Sequence, residues 1–211
     1  MSSKKIEELL LSNTEFKINK TFGHEFVDFN IRYVGKTFEN LIGNEELFIP
    51  SLDVLYAKFM TLHGDQFDSD LSEKAIFGRV ARMWASLVRE WHAYYLIQET
   101  CASIGIDKRL IIRNDDLDTL KGIDIYLKNT SRKDNSIKID ILQTTKRASE
   151  FRNKKDLYRV KDHDIPGVKY KIVLGANTIP RYTKTLNQWF LLNNNAALRI
   201  AEYFKKQLNK V

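Results

Sequence analysis

The hydrophobic period of the chain changes sharply after its long helical stretch, and that change limits the fold more than any other feature. From about Leu71 to Ser103, the residues Ile76, Val80, Met83, Leu87, Trp91, Tyr94 or Tyr95, and Gln98 recur every three or four positions. That is the spacing of one helix face, and Gly78 marks its weak point. Beyond Gly105 the period falls to two. Arg109 to Arg113 is a short β-rich run, and Gly122-Ile-Asp-Ile-Tyr-Leu-Lys128 alternates apolar and polar residues. A polar turn, Asn129 to Ser136, leads into Ile137-Lys-Ile-Asp-Ile-Leu-Gln143, so a hairpin is expected. Arg147 to Val160 reads as a basic helix, Val168 to Leu174 as a strand ended by Gly175, and about Asn195 to Leu208 as a last helix. This order predicts an α/β or α+β domain built on a small mixed β-sheet flanked by helices.

Ahead of the long helix the pattern is weaker. Ile6 to Leu11 is helical in spacing, and a polar stretch with Phe16, Phe22, Phe26 and Phe29 is ambiguous. Ser51 is a suitable N-cap for a helix whose apolar face is Leu52, Leu55, Tyr56, Phe59 and Leu62. No repeat, low-complexity tract or Pro/Gly/Ser linker divides the 211 residues. A single domain is expected, with 1–68 as a helical or irregular N-terminal region and 69–211 as the core.

Charge narrows the choice of partners. The first 120 residues carry 14 basic and 19 acidic side chains and the rest carry 20 and 8, so the two parts bear −5 and +12 within a net +7. A cationic half fits a polyanion such as nucleic acid, although solvated lysines account for any one cluster as well. No apolar run approaches the roughly 20 residues of a membrane helix, and the N-terminus has acidic residues where a secretory signal has its apolar stretch. One cysteine, Cys101, excludes a disulfide scaffold and fits a reducing compartment and a buried position. A cytoplasmic location is expected. The histidines at 24, 63, 92 and 163 show no metal-ligand spacing, and no zinc site is expected.

Leu117 to Lys155 is the stretch that carries chemistry. Asp124 lies between Ile123 and Ile125 in a strand, where a carboxylate is costly unless something requires it. In the next strand Ile137, Ile139, Ile141, Gln143 and Thr145 share one face, while Lys138, Asp140, Leu142, Thr144 and Lys146 share the other. Gln143 thus ends an apolar, inward-facing row. A strand carboxylate facing a polar group at the end of its neighbour is able to hold a hard divalent cation through oxygen. Lys146, Arg147, Arg152, Lys154 and Lys155 follow at once, and a cation among them suits the charge that develops on a reacting phosphate.

Gly122-Ile123-Asp124, a hairpin, and Ile139-Asp-Ile-Leu-Gln143 resemble the core of the PD-(D/E)XK nucleases. Within that superfamily the stretch from about Arg82 to Lys155 resembles the TaqI-like type II restriction endonucleases. The features are Arg82-Met-Trp84-Ala-Ser-Leu87, Asp115-Asp116-Leu-Asp118, Lys121-Gly122-Ile123-Asp124 and a strand ending in Gln. The resemblance implies a restriction-endonuclease-like fold and magnesium-dependent, site-specific hydrolysis of double-stranded DNA. It gives Asp124 and Gln143 as the metal-binding acid and amide, with Asp118 near a second upstream carboxylate. The family's lysine, two residues after the acid or amide, is Thr145 here. A bulge turning Lys146 inward, substitution by Lys154 or Lys155, or an inactive site are the three ways to read that departure.

In many nucleases of this fold a helix glutamate reaches the metal, a role matched by Glu90 or Glu99; a solvated helix charge is the plainer reading of each. His92 could serve as a base, or be a core histidine. Asn177, Arg181 and Lys184, in a polar segment continued by Asn187, Gln188 and Asn193 to Asn195, are candidates for DNA contact, because amide and guanidinium groups pair with base edges. Helix capping accounts for Asn195 equally well. A palindromic target would imply a homodimer. The rival readings are a structure-selective or repair nuclease of the same fold and a non-catalytic nucleic-acid-binding protein.

Overall fold

The computed structural model describes residues 1–12, 31–44, 49–67, 71–113, 123–143, 165–179 and 181–210. Among them are five α-helices: α1 (Ser3–Ser12), α2 (Val34–Asn44), α3 (Leu52–His63), α4 (Glu73–Ser103) and α5 (Asn194–Leu208). The strands are β1 (Ile111–Ile112), β2 (Ile125–Leu127), β3 (Ile137–Gln143), β4 (Val168–Leu174), β5 (Thr183–Leu186) and β6 (Trp189–Leu192). The architecture is mixed α+β, as the change of period predicts. Among the described residues no helix is long and apolar enough to cross a membrane.

The chain forms two compact units. The first comprises Met1, Ser3–Arg89 and Leu186–Trp189; the second comprises Ser2, Glu90–Thr185 and Phe190–Val211.

In the first unit, α3 begins where Ser51 accepts a hydrogen bond from the Val54 N–H at 3.4 Å, the cap expected from its sequence. Trp84 on α4 is buried against Trp189, with ring centroids 5.4 Å apart and edge-on, and its indole N–H donates to the Pro50 carbonyl at 2.9 Å. The indole therefore buries its large apolar area without losing its one polar bond. α4 runs 31 residues, and Gly78 does not interrupt it. The helix α2, which the sequence reading does not anticipate, buries Val34, Phe38 and Ile42.

The second unit contains the four-stranded sheet, in the order β1-β2-β3-β4. β1, β2 and β3 are antiparallel neighbours, with Ile125 aligned on Ile139. β4 lies parallel to β3 over seven residues, from Ile137 on Val168 to Gln143 on Leu174. Parallel pairing obliges the intervening chain to return to the starting end of the sheet. One sheet face, with Ile125, Ile139, Ile141, Ile172 and Leu174, packs with Ala93, Ile97 and Cys101 of α4 and Ala197, Ala201 and Phe204 of α5. Each fully buried isoleucine there contributes roughly 1.5–3 kcal/mol.

Two glycines make the connections possible. Gly105 ends α4 at φ +82°, and Ile106 N–H returns to the Cys101 carbonyl at 2.9 Å. Gly167 precedes β4 at φ +125°, where a β-carbon would lie 2.5 Å from the Ser136 carbonyl oxygen. That close approach lets Val168 N–H bond Ser136 at 2.8 Å and start the parallel ladder.

β5 and β6 form a two-stranded hairpin in a segment that the sequence suggests is a polar loop. Its turn, Asn187-Gln188, has φ of 43° and 73°. Two positive-φ residues give the twist that a tight hairpin needs. The glutamine hides the signal, because Asn-Gly is the pair that usually announces such a turn.

Candidate functional site

The two strands that bear the expected chemistry meet at Asp124. Ile123 to Leu127 are all buried, and Asp124 itself is 5% exposed at the start of β2. Its backbone N–H donates to the Ile139 carbonyl at 2.9 Å, and its Oδ2 accepts the Ile141 N–H at 2.5 Å. Because Ile125 is also the register partner of Ile139, two residues of the β2 side meet one residue of β3. This is bulge-like geometry at the aspartate; Lys146, where a bulge is expected from the sequence, lies outside the described residues. The carboxylate thereby takes over a bond that a regular ladder would have supplied to Ile141. That bond offsets part of the cost of burying the acid and fixes the direction of the group.

Gln143 closes β3, two residues beyond Ile141, with its backbone aligned on Leu174. Asp124 and Gln143 are thus brought to the same end of β3. The Gln143 side chain, and all of Asp118, Lys146, Arg147, Arg152, Lys154 and Lys155, lie outside the described residues.

The row of β3 opposite the isoleucines is buried as well: Lys138 is 7% exposed, and Asp140 and Leu142 are each 8%. Lys138 donates through Nζ to the Ile165 carbonyl at 2.9 Å, and the Tyr126 hydroxyl donates to Pro166 at 3.2 Å. Asp140 stands beside Lys171 of β4 in the register. Alternation alone predicts a one-sided strand, yet a strand in the interior of a sheet with a parallel neighbour is commonly covered on both faces. Asp140, on β3 beside Ile141, is therefore a buried carboxylate in addition to Asp124, and the sequence reading leaves it out of the site. The signal for it was the seven-residue length of Val168 to Leu174, which supplies β3 with its second neighbour.

Glu90 comes from α4 toward the same end of β2, because its partner Arg113 directly follows Ile112, which is aligned on Tyr126, two residues from Asp124. It is 6% exposed on α4, and its Oε2 is 3.2 Å from a terminal guanidinium nitrogen of Arg113, just past β1. The Arg113 guanidinium carbon sits 4.5 Å from the centre of the Trp91 ring. Ion pair and ring together hold both charges out of water, an arrangement that specifies position more than it adds stability. Burial pushes the neighbouring Tyr95 hydroxyl up to about 12, with Tyr94 raising it further and Arg113 opposing. Glu99 is exposed. His92 is fully buried. Cys101 is buried as expected, and that burial pushes its thiol up to about 12.

The expected DNA-contacting residues divide. Asn177 is exposed in a short 3-10 turn, Ala176–Thr178. Arg181 is exposed and lies over the Tyr182 ring at 4.9 Å. Lys184 is half-buried on β5. Asn187 donates through Nδ2 to the Leu10 carbonyl at 3.1 Å, and Asn193, not Asn195, caps α5 by accepting the Ala196 N–H at 2.8 Å. Both amides are engaged in holding backbone.

Among the described residues, no group of three or more His, Cys, Asp or Glu side chains is gathered in a metal-binding arrangement. The Asp124 carboxylate at the β2–β3 junction is a hard oxygen donor. Compared with protein-family models, with curated proteins and with solved structures, the chain matches none of them.

Proposed function

We propose that the protein is a magnesium-dependent endonuclease of the restriction type, with a restriction-endonuclease-like fold, that hydrolyses phosphodiesters of double-stranded DNA at a short recognition sequence. The observation that carries this reading is the Asp124 carboxylate, buried and oriented by the Ile141 N–H at the end of β3 that Gln143 closes. Asp124 and Gln143, with Asp118, would hold the magnesium ion. When bound, the ion supplies an activated water and neutralises charge on the phosphate. Lys146 steadies the nucleophile, and Arg147, Arg152, Lys154 and Lys155 meet the DNA backbone. The +12 charge of the last 91 residues supports a polyanionic substrate. A palindromic target would be read by two copies of the chain.

One observation favours a second reading, a structure-selective nuclease with the same metal site. Asn187 and Asn193 are committed to backbone atoms, which shortens the list of amides left to read bases. Incubating the protein with mixed plasmids and magnesium separates the readings. Discrete bands are expected for a restriction enzyme, whereas cutting confined to junctions or lesions supports the second reading. No cleavage with any divalent ion, from a protein that binds DNA as well as its Asp124→Ala variant does, would leave a non-catalytic binder.

A further inference from the structure

The described residues of the last stretch, Ile165 to Lys210, contain Lys169, Lys171, Arg181, Lys184, Arg199, Lys205, Lys206 and Lys210 against a single acid, Glu202. Not all of these cations are disposed toward a partner. Lys205 donates to the Ile104 carbonyl at 2.6 Å and so ties α5 to the end of α4. Lys169 and Lys171 project from the opposite side of β4 to Tyr170 by strand alternation.

What remains on the α5 side of β4 is a defined surface. Tyr170 is 37% exposed and Val168 47% exposed at the beginning of β4. The Tyr170 ring lies against Tyr203 of α5, with centroids 5.4 Å apart at 60°. Burial and a hydrogen bond with Tyr203 push the Tyr170 hydroxyl up to about 12. Arg199 and Lys206, four residues before and three after Tyr203, are exposed on the same helix and flank the pair. An aromatic pair bracketed by two cations matches a duplex backbone: the cations meet phosphates, and the tyrosines meet phosphate and sugar. An acidic protein would be met by the cations alike. The charge of the whole C-terminal part, extended over many residues, suits a long polyanion better than a discrete acidic patch.

We infer that the β4–α5 surface, centred on Tyr170 and Tyr203 and flanked by Arg199 and Lys206, is a second DNA-backbone contact apart from the β2–β3 junction. It rests on the proposed action on DNA but not on catalysis. The test is binding of a labelled 30-base-pair duplex of arbitrary sequence in EDTA, across a salt series, by the full chain and by the Arg199→Glu/Lys206→Glu variant. Both substituted side chains are exposed, so folding is not at issue, and circular dichroism verifies it.

The expected result is binding about tenfold weaker at moderate salt, with the slope of log affinity against log salt reduced by about two. Tyr170→Ser should weaken binding with no change of slope. An unchanged slope in the double variant overturns the inference, even where the parent cleaves plasmid with magnesium. A parent that binds with this α5-dependent slope but cleaves nothing overturns the nuclease reading and leaves the surface standing. A parent that does not bind DNA at all overturns both. If an acidic peptide competes with the duplex only through Arg199 and Lys206, a protein partner replaces DNA.

Discussion

Two carboxylates are buried to the same degree in the second unit, and their surroundings differ. Glu90, 6% exposed, faces a guanidinium that is itself covered by an indole ring. Asp124, 5% exposed, is fixed by a backbone N–H at the place where two strands part. An acid held against an opposite charge joins two elements, here α4 and the end of β1. An acid that accepts a backbone N–H at a strand end has its direction set by the pairing of the strands. The contrast teaches that equal burial of a carboxylate is reached in two ways, by an ion pair between elements and by a peptide N–H within the sheet.

The largest test of this contrast is catalytic. Asp124→Asn keeps an oxygen for the Ile141 N–H, so its stability should change by less than about 1 kcal/mol while plasmid cleavage falls by on the order of a thousandfold. Glu90→Gln should cleave at a rate within a few fold of the parent; a loss equal to that of Asp124→Asn would erase the distinction. Next in size is stability. Glu90→Ala strands the Arg113 charge and should cost about 3–5 kcal/mol in urea unfolding, whereas the paired Glu90→Leu/Arg113→Met change should recover most of it. If the double variant is no better than the single, the pair is not the reason for burial.

Smaller is the cost of Asp124→Ala, about 1–3 kcal/mol, because Ile141 N–H is left without its acceptor. A cost near zero would mean that water or another group replaces the carboxylate. Last comes a titration. Tyr95 is shifted from 10.0 to about 12, so the folded state holds its proton more tightly than the unfolded one. That stability is present in full below pH 10, and it is lost as pH rises from 10 toward 12. Since Arg113 opposes the shift, Arg113→Met should move the tyrosinate absorbance transition higher still. A downward movement would show that the guanidinium does not act on Tyr95.

Much of the secondary structure is legible along the chain. α3 begins at Ser51, β3 ends at Gln143 and β4 spans Val168 to Leu174 as the patterns indicate, because capping and alternation are properties of neighbouring residues. The β5–β6 hairpin was not legible, since Gln188 occupies a positive-φ position that glycine usually announces. The first-turn cap of α5 was misplaced by two residues within a run of three asparagines, any of which has the chemistry to cap. Of the site, Asp124 stands out in sequence as a charge in an apolar strand. Asp140 does not, because its burial depends on β4 lying beside β3.

By itself, then, the sequence determined where helical and extended segments run, which half of the chain is cationic and which strand carries an unexpected acid. Only the tertiary structure decided that β4 joins β3 in parallel, that β3 is covered on both faces, that Glu90 meets Arg113, and that Asp124 turns its carboxylate to Ile141. The physical reason is range. Periodicity and capping are settled within a few residues, whereas the partner of a buried charge comes from a segment 17 or 23 residues away, and only the folded packing brings it there.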